Sequence, residues 1–351
     1  INSAIENNKP LIILDRPNPN GFYVDGPVLD TAYKSFVGMQ PIPMVYGMTM
    51  GEYAKMLIGE KWAKASATAT SLPNITIIKN KNYTHKSKYV LPVKPSPNLG
   101  TMSSVYWYGS NCLFEGTVLS EGRGTDFPFA IFGHPSLPKT LYTFTPTSRD
   151  GAKEPKLKDQ TCYGWNLAGT DKEVLQKVDG KIQLSYLLEA YKLFPEKEKF
   201  FITPKSGKPT DYFFNKLAGN DALQKQIIAG ASEKEIRASW KKDIDAFMNH
   251  EGMMAGSDGI YTGDYPHPRG YGCFARYLGH HVREAKSWGL EQAIQKLSWH
   301  GARRHGLKDR GLCNPGYAAD VVVFDPTTIK DNAWYETGKQ VASGMEHVFV
   351  N

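Results

Sequence analysis

The sequence predicts an α/β fold of the mixed α+β kind, divided into more than one domain. The chain has 351 residues, which is enough for two domains of ordinary size. Short aliphatic runs of strand length, such as Leu11–Leu14 and Val321–Phe324, alternate with segments that carry apolar residues at helical spacing. The character of the sequence changes at residues 252–256, which read GMMAG, so we expect a domain boundary there.

The first predicted element is a strand that leads into a polar loop. Residues 9–19 read KPLIILDRPNP, in which an aliphatic run ends in a loop that Pro17 and Pro19 stiffen. This pattern predicts a buried strand. Loops at the carboxyl ends of strands in open α/β sheets are where ligands bind, so this loop is a candidate for a site.

Helices and irregular segments follow the first strand. Residues 48–61 predict an amphipathic helix that Thr49 caps, with Glu52 three residues later. Residues 90–150 are rich in Pro, Gly, Ser, Thr and aromatic residues, so we expect loops and short strands there. Further predicted helices cover residues 184–194, 222–228, 233–247, 278–286 and 290–300, and further predicted strands cover 317–325 and 347–350.

Composition excludes some classes of protein. Hydrophobic residues make up 41% of the chain, yet no run approaches the roughly 18 apolar residues that span a bilayer, so we expect no membrane span. The net charge is +7, with lysines clustered at 79–88 and 153–158. No aromatic residues accompany these clusters as a nucleic-acid platform would require, so we expect no nucleic-acid partner. A solvated face is the simplest interpretation of each cluster, and a basic surface also suits an anionic wall polymer.

The cysteines and the first residues carry little functional information. Cys112, Cys162, Cys273 and Cys313 form no C-x-x-C pair, so we expect buried free thiols rather than a zinc or redox motif. The opening residues, INSAIENNKP, are typical of a helix end that runs into a strand. We therefore expect the native N-terminus to lie upstream, so this sequence does not show whether the protein has an N-terminal targeting signal.

Dense glycines and charged residues mark residues 112–135, which read CLFEGTVLSEGRGTDFPFAIFGHP. Glycine permits positive φ and close approach of the backbone to a ligand. Arg123 offers a planar fork that binds carboxylates, and Glu115 or Glu121 could serve as an acid, a base or an acceptor for sugar hydroxyls. The alternative is a glycine-rich turn that a Glu–Arg pair holds together, and the residues alone leave both interpretations open.

Several long motifs, in order and in register, resemble the exo-β-N-acetylmuramidase family. They are DRPNPNG at 15–21, DGPVLD at 25–30, SFVGMQPIPMVYGMTMGE at 35–52, PSPNL at 95–99, CLFEGT and GRGTDFPF within 112–129, KEPKLKDQTCYGW at 153–165 and the helical residues 211–247. The resemblance implies an enzyme that releases N-acetylmuramic acid from the non-reducing end of peptidoglycan fragments. It covers residues 1–248 and corresponds to the C-terminal part of the family.

Two departures from the family pattern affect the expected activity. The family carries a Ser-Pro-Glu-His-Gly segment with the favoured catalytic glutamate in a Rossmann-like half, and nothing in this sequence matches it. The chain therefore lacks the principal acid/base unless a partner supplies it. His134 replaces a small residue of the family, and Val118-Leu119-Ser120 followed by Glu121 replaces Asn-x-Ser, so fine specificity is expected to shift.

The resemblance assigns a set of site residues. Arg123 is the candidate for the lactyl carboxylate of muramic acid, and Glu115 is the candidate catalytic or supporting carboxylate. The residues expected to bind the sugar are Asp15, Arg16, Asn18, Asn98, Glu121, Arg123 and Thr125. The implied partners are peptidoglycan fragments or muramic-acid sugars, and the implied location is periplasmic or secreted.

From Met253 onward the sequence resembles a second family, the D-aminoacylases of the amidohydrolase superfamily. The motifs are MMAGSDGI at 253–260, HPRGYGCFARYLGHHVRE at 267–284 and ARRHGLKDRGLCNPGYAADVVVFDP at 302–326. The resemblance makes Asp258 a candidate catalytic residue that binds metal or handles a water proton. No His-x-His pair precedes it, and the adjacent His280 and His281 point about 100° apart on a helix, so we expect no metal. Zinc is expected only if a partner completes this part.

These observations predict three segments and one favoured function. Residues 1–60 are the remnant of a Rossmann-like domain, residues 61–250 a loop-rich α+β domain, and residues 251–351 an amidohydrolase-like fragment of helices and strands. The favoured function is a truncated exo-β-N-acetylmuramidase-type glycoside hydrolase. The alternatives are a metal-dependent N-acyl-D-amino-acid deacylase fragment and a non-catalytic protein that binds wall sugars. The oligomeric state is left open.

Overall fold

The computed structural model of the protein describes residues 1–7, 9–63, 75–85, 87–240, 269–333 and 338–350. The chain divides into two compact units, Ile1–Lys241 and Lys242–Asn351. Both units combine helices with small sheets, which confirms the predicted mixed α/β class. None of the helices in these ranges has the length and apolar character that crossing a bilayer requires. The three predicted segment boundaries stay a prediction.

The first unit contains short helices and strands joined by long loops. Its helices are α1 (Asn2–Glu6), α2 (Met50–Gly59), α3 (Met102–Asn111), α4 (Asp171–Val178), α5 (Ser185–Leu193), α6 (Phe213–Ala218), α7 (Ala222–Ile228) and α8 (residues 233–240). Its strands are β1 (Leu11–Leu14), β2 (Asp25–Val28), β3 (Pro43–Val45), β4 (Ile75–Ile78), β5 (Ile131–His134), β6 (Tyr142–Phe144) and β7 (Cys162–Asn166). Short 3-10 turns cover Thr31–Tyr33, Cys112–Gly116, Lys197–Lys199 and Pro209–Asp211.

The strands of the first unit form three small sheets. β1 and β4 pair in parallel, with Leu11 opposite Ile75. β2 pairs with β3, and β7 lies between β5 and β6, all antiparallel. The predicted strand at β1 is confirmed, but its predicted burial is wrong, since Ile12 and Leu14 are 65% and 70% exposed. Parallel sheets are normally covered on both faces, whereas the described residues leave this face open.

Local sequence chemistry explains α2, and burial explains α3. Thr49 accepts a hydrogen bond from the backbone N–H of Glu52, whose carboxylate accepts one from the N–H of Thr49, so the predicted capping box is present. The predicted helices at 184–194 and 222–228 are confirmed as α5 and α7. The predicted loops of residues 90–150 omitted α3, whose Ser and aromatic residues have modest helix propensity. Tyr106 and Trp107 are fully buried, so tertiary packing stabilises this helix.

A large aromatic-rich core fills the centre of the first unit. Phe114 and Phe132 stack with ring centroids 4.2 Å apart, and Phe132 stacks on Trp165 at 5.2 Å. The indole N–H of Trp107 donates to the carbonyl of Leu167 across this core. The core therefore fixes α3, β5 and β7 relative to one another, and the loop between α3 and β5 is anchored at both ends.

The second unit, in its described part, consists of helical segments and one small sheet. The helices are α9 (Arg269–Arg276), which continues as a π-helix over Tyr277–Glu284, α10 (Leu290–Ile294), which continues as a π-helix over Gln295–Trp299, and α11 (His300–Arg304). The strands are β8 (Val321–Phe324) and β9 (Met345–Phe349), which pair antiparallel. The helical pair and the strands predicted here are confirmed. Trp288 and Ile329 are buried at the centre of a separate small core.

Candidate functional site

The loop between α3 and β5 carries a compact cluster of charged side chains. Nη1 of Arg123 lies 2.7 Å from Oε1 of Glu121, and Nη2 lies 2.9 Å from Oε2 of Glu115. The second oxygen of Glu121 lies 2.9 Å from Nζ of Lys156. The side chain of Glu121 is 2% exposed, that of Glu115 is 14% exposed and that of Arg123 is 28% exposed. The cluster thus has a buried end at Glu121 and an accessible edge at Arg123 and Glu115.

Glycines shape the turn that carries Arg123. Gly122 and Gly124 both have φ of +82°, a left-handed conformation that favours glycine. A Cβ at Gly122 would lie 2.3 Å from the carbonyl oxygen of Ile131, and one at Gly124 would lie 2.5 Å from that of Thr147. These glycines are therefore needed where the turn packs on neighbouring backbone, and the predicted approach of this backbone to a ligand stays a prediction.

Opposite charges control the ionisation of the cluster. Burial alone would raise the pKa of Glu121, but Lys156 and Arg123 outweigh it, so the pKa lies below its usual value. Burial also opposes the charge on Arg123, yet Glu121 and Glu115 raise the pKa of the guanidinium further. Burial lowers the pKa of Lys156, and Glu121 offsets part of that effect. Because five oxygen acceptors lie within 3.3 Å of its Nζ, the ammonium is the form that fits the site.

An aromatic pair lies beneath the guanidinium. The Cζ atom of Arg123 lies 4.8 Å from the ring centroid of Phe129, and the ring of Tyr108 meets that of Phe129 edge-on at 4.8 Å. Tyr108 is 38% exposed. Burial, with smaller effects from Cys112 and Glu115, raises the pKa of Tyr108 to about 12, so its phenol stays protonated at neutral pH. The accessible edge of the cluster therefore combines a cation, a carboxylate and a partly exposed aromatic ring.

Phe129 is held in a strained backbone conformation. Its φ is +63°, which is unfavourable for a bulky residue, and its side chain is buried. The N–H of Phe129 donates to the carbonyl of Glu121 at 2.7 Å, and its carbonyl accepts from Nδ2 of Asn111 at 2.6 Å. These two bonds hold the ring under Arg123, and strain of this kind is found where surrounding structure enforces a functional geometry.

Two other predicted site residues lie in loops beside the cluster. The hydroxyl of Thr125 donates to the carbonyl of Gly122 at 2.7 Å, so it closes the Arg123 turn. Nδ2 of Asn98 donates to the carbonyl of Gly151 at 2.9 Å, which ties the 95–99 loop to the loop that contains Lys156. Both side chains use polar atoms within the chain, and their predicted contacts to a sugar stay predictions.

Two of the three predicted residues of the first loop, Asp15 and Asn18, contact the start of α2. The carboxylate of Asp15 accepts from the N–H of Gly51 and from the hydroxyl of Thr49, each at 2.8 Å. Asn18 donates from Nδ2 to the carbonyl of Met48. Arg16 is exposed and forms no ion pair with the residues that the structure describes. Asp15 and Asn18 therefore stabilise the junction of β1 with α2. Of the three side chains, that of Arg16 is the most available to a ligand.

Sequence reasoning missed four residues that the structure places at these loops. Lys156 was assigned to a solvated lysine cluster, but its neighbours Pro155 and Leu157 could have indicated a buried position. Phe129 and Tyr108 gave no signal beyond their aromatic character. His85 was also missed, and its ring lies 2.8 Å from Glu52 and 2.9 Å from the carbonyl of Gly21.

The prediction of buried cysteines has a mixed outcome, and the candidate metal ligands can be located only in part. None of the four cysteines forms a disulfide within the described residues. Cys112 and Cys162 are buried as predicted, Cys273 is half-buried, and Cys313 is exposed, so the predicted burial is wrong for Cys313. Within the described ranges no three His, Cys, Asp or Glu side chains are close enough to hold a metal ion. Asp258 lies outside the described residues. Nδ1 of His280 lies 3.0 Å from a carboxylate oxygen of Glu284 on the π-helix, so the two side chains are hydrogen-bond partners there.

Comparison with known proteins finds that the two parts of the chain are similar to different families. Residues 1–103 match the N-terminal domain of the exo-beta-N-acetylmuramidase NamZ, residues 106–253 match its C-terminal domain, and residues 215–350 match the amidohydrolase family. The peptidoglycan beta-N-acetylmuramidase NamZ of Bacillus subtilis is 35% identical over 70% of this chain. This chain spans 59% of that protein.

Other similarities agree with this assignment. A DUF1343 family protein of Bacteroides fragilis is 45% identical, with a TM-score of 0.62 over 70% of this chain and 65% of its own. The D-aminoacylase of Alcaligenes xylosoxydans xylosoxydans is 41% identical over 31% of this chain, which spans 22% of that enzyme. The last part of this chain is similar to part of the D-aminoacylases, and residues 1–253 belong to the exo-β-N-acetylmuramidase NamZ family.

Proposed function

We propose that residues 1–253 form a glycoside hydrolase-type domain that binds the terminal N-acetylmuramic acid of peptidoglycan fragments. The observation that carries the proposal is the position of Arg123, which bridges two carboxylates while its side chain stays 28% exposed. Muramic acid differs from N-acetylglucosamine by a lactyl ether with a carboxylate. A site that selects it needs a cation at its accessible edge, and Arg123 supplies one.

The charge balance of the cluster supports a role in binding an anion. Glu115, Glu121, Arg123 and Lys156 carry two negative and two positive charges. Lys156 pairs with one carboxylate oxygen of Glu121. Arg123 pairs with the other oxygen of Glu121 and with one oxygen of Glu115. A guanidinium has five N–H donors, and the two bonds to carboxylates leave donors for a ligand. An incoming carboxylate would thus meet no net negative charge.

Glu115 is suited to bind sugar hydroxyls. Its Oε2 accepts from Arg123, whereas its Oε1 accepts no hydrogen bond from the part of the chain that the structure describes. A partly exposed carboxylate oxygen of this kind is an acceptor for hydroxyl groups, which both amino sugars carry. We therefore assign Arg123 to recognition of the lactyl group and Glu115 to contacts that the two sugars share.

The location and wider role follow from the same proposal. A domain that binds peptidoglycan fragments works where those fragments occur, so we propose a periplasmic or secreted location and a role in cell wall recycling. The net charge of +7 favours contact with an anionic wall polymer. The amidohydrolase-related part would act on other substrates, and no described residue of it supplies a metal site for that chemistry.

The proposal is tested by binding titrations of the chain with N-acetylmuramic acid and with N-acetylglucosamine. We expect wild type to bind the first sugar at least about tenfold more tightly, as one charge-assisted contact allows. Glu115→Gln should weaken binding of both sugars by a similar factor. Arg237→Ala is the matched control, because Arg237 also bridges two carboxylates, those of Asp25 and Glu233, with a similarly exposed side chain, and it lies outside the proposed site. Equal affinity of wild type for the two sugars would overturn the proposal.

A further inference from the structure

The ammonium group of Lys156 is surrounded by oxygen atoms of one loop. Its Nζ lies 2.9 Å from a carboxylate oxygen of Glu121. It also donates to four backbone carbonyl oxygens at 2.9–3.3 Å, those of Phe114, Glu115, Thr117 and Leu119. Five oxygens thus surround a group that has three N–H donors, so some of these contacts share a hydrogen.

A cage of carbonyl oxygens with one carboxylate is the kind of ligand set that proteins use for hard cations. Four of the five oxygens belong to the backbone, so they cannot change with side-chain rotamers. We infer that the loop of residues 114–121 is built around an internal cation and that the Lys156 ammonium permanently fills this cation site. The inference does not depend on which sugar the domain binds.

The position of the cage in the chain explains what it does. It begins in the 3-10 turn that carries Glu115 and ends at Glu121, whose backbone carbonyl accepts from Phe129. The ammonium therefore fixes the backbone on which both carboxylates of the charged cluster stand. Lys156 is a positioning residue for Glu115 and Glu121, and it reaches the loop from a segment more than 30 residues later in the sequence.

Removal of the lysine side chain should convert the cage into a site for a small monovalent cation. Lys156→Ala removes the ammonium and opens the volume of the stem, so we expect the melting temperature to fall by about 5 °C or more. Ammonium or potassium chloride at about 0.2 M should then restore about half of that loss, because a ligand that binds only the folded state stabilises it. Tetramethylammonium chloride at the same concentration controls for ionic strength.

Wild type and Lys156→Met are the two controls that show whether the recovery in salt depends on an empty cation site. Wild type should show no difference among the three salts, because the lysine already fills the cage. Lys156→Met should melt lower than wild type but show no recovery, because the methionine stem occupies the entry path. The inference is wrong if Lys156→Ala responds equally to all three salts, or if Lys156→Met recovers as well as Lys156→Ala.

A measurement on wild type covers the outcome in which Lys156→Ala does not fold in any salt. Limited reductive methylation followed by peptide mass spectrometry compares Lys156 with two neighbours, Lys153, whose side chain is exposed, and Lys158, whose side chain is about as exposed as that of Lys156. An ammonium held by five oxygens should react at least about tenfold more slowly than either neighbour, since it must first leave the cage. Equal labelling of the three lysines would overturn the inference independently of the variants.

Discussion

Nη2 of Arg123 and Oε2 of Glu115 lie 2.9 Å apart at the accessible edge of a charged cluster whose other carboxylate, Glu121, is buried. This pair determines how the site can be tested. If Arg123 only holds the turn, its loss should lower stability without changing preference between sugars. If it also binds the lactyl carboxylate, its loss should change that preference.

The stability of the first unit should depend on pH through Glu121. Its folded pKa lies below its ordinary value, so the carboxylate contributes stability that is present above the unfolded pKa and lost as pH falls through the folded pKa. Wild type should therefore exceed Glu121→Gln in free energy of unfolding at pH 6, and the gap should narrow below about pH 4.5. Urea unfolding of both proteins at pH 6 and below about pH 4.5 measures this difference in the free energy of unfolding. A gap that stays constant or widens with acid would show that Glu121 is not an ionised partner.

Replacement of Arg123 by lysine should separate charge from geometry. Lysine keeps the positive charge but cannot bridge two carboxylates with a planar fork or stack on Phe129. We expect Arg123→Lys to bind N-acetylmuramic acid several-fold more weakly than wild type and to melt a few degrees lower. Calorimetric titration and thermal unfolding measure the two effects. If Arg123→Lys bound N-acetylmuramic acid as tightly as wild type, a positive charge without the planar fork would be enough for binding.

Removal of residues 252–351 should leave the first unit folded. The contacts of the chain divide near residue 241, and the match to the NamZ family ends at residue 253. Calorimetry of the shortened protein should show one cooperative transition, as expected for a unit with its own core. Loss of that transition would mean that both parts share a core, and the domain boundary would be wrong.

The 351-residue chain should show weak turnover or none on a chromogenic N-acetylmuraminide. No segment of this sequence matches the Ser-Pro-Glu-His-Gly pattern, and loss of a catalytic carboxylate commonly costs several orders of magnitude in rate. Binding of the sugar should persist, which distinguishes a missing acid from a missing site. Turnover comparable with that of an intact NamZ enzyme would show that the acid lies within this chain.

Local features were predictable from the sequence, whereas long-range partners were not. The capping box of α2 needs only Thr49 and Glu52, and the Arg–Glu cluster joins residues within one loop, so both were found. Lys156 was missed because its partners lie 35 or more residues away. Asp15 was placed correctly at the end of a strand. Its contacts with the start of α2, however, depend on Gly51, which a pattern in residues 9–19 does not contain.

Burial and strain were also beyond the sequence. α3 is helical because Tyr106 and Trp107 are enclosed by the core, and local propensity gives no sign of this. The positive φ of Phe129 depends on hydrogen bonds from Asn111 and to Glu121 that form only in the folded chain. The exposed face of β1 was wrongly predicted as buried, because an aliphatic run indicates a strand but not which neighbours cover it.

The most direct test of the central claim compares the preference of wild type and Arg123→Ala for N-acetylmuramic acid over N-acetylglucosamine. A lost charge-assisted contact of about 1.5–3 kcal/mol corresponds to roughly a ten- to hundredfold loss of affinity, at about 1.4 kcal/mol per factor of ten. We expect this loss for N-acetylmuramic acid only, with the affinity for N-acetylglucosamine changed less than about twofold. An unchanged ratio of the two affinities, with a lower melting temperature, would contradict the claim and leave Arg123 with a purely structural role.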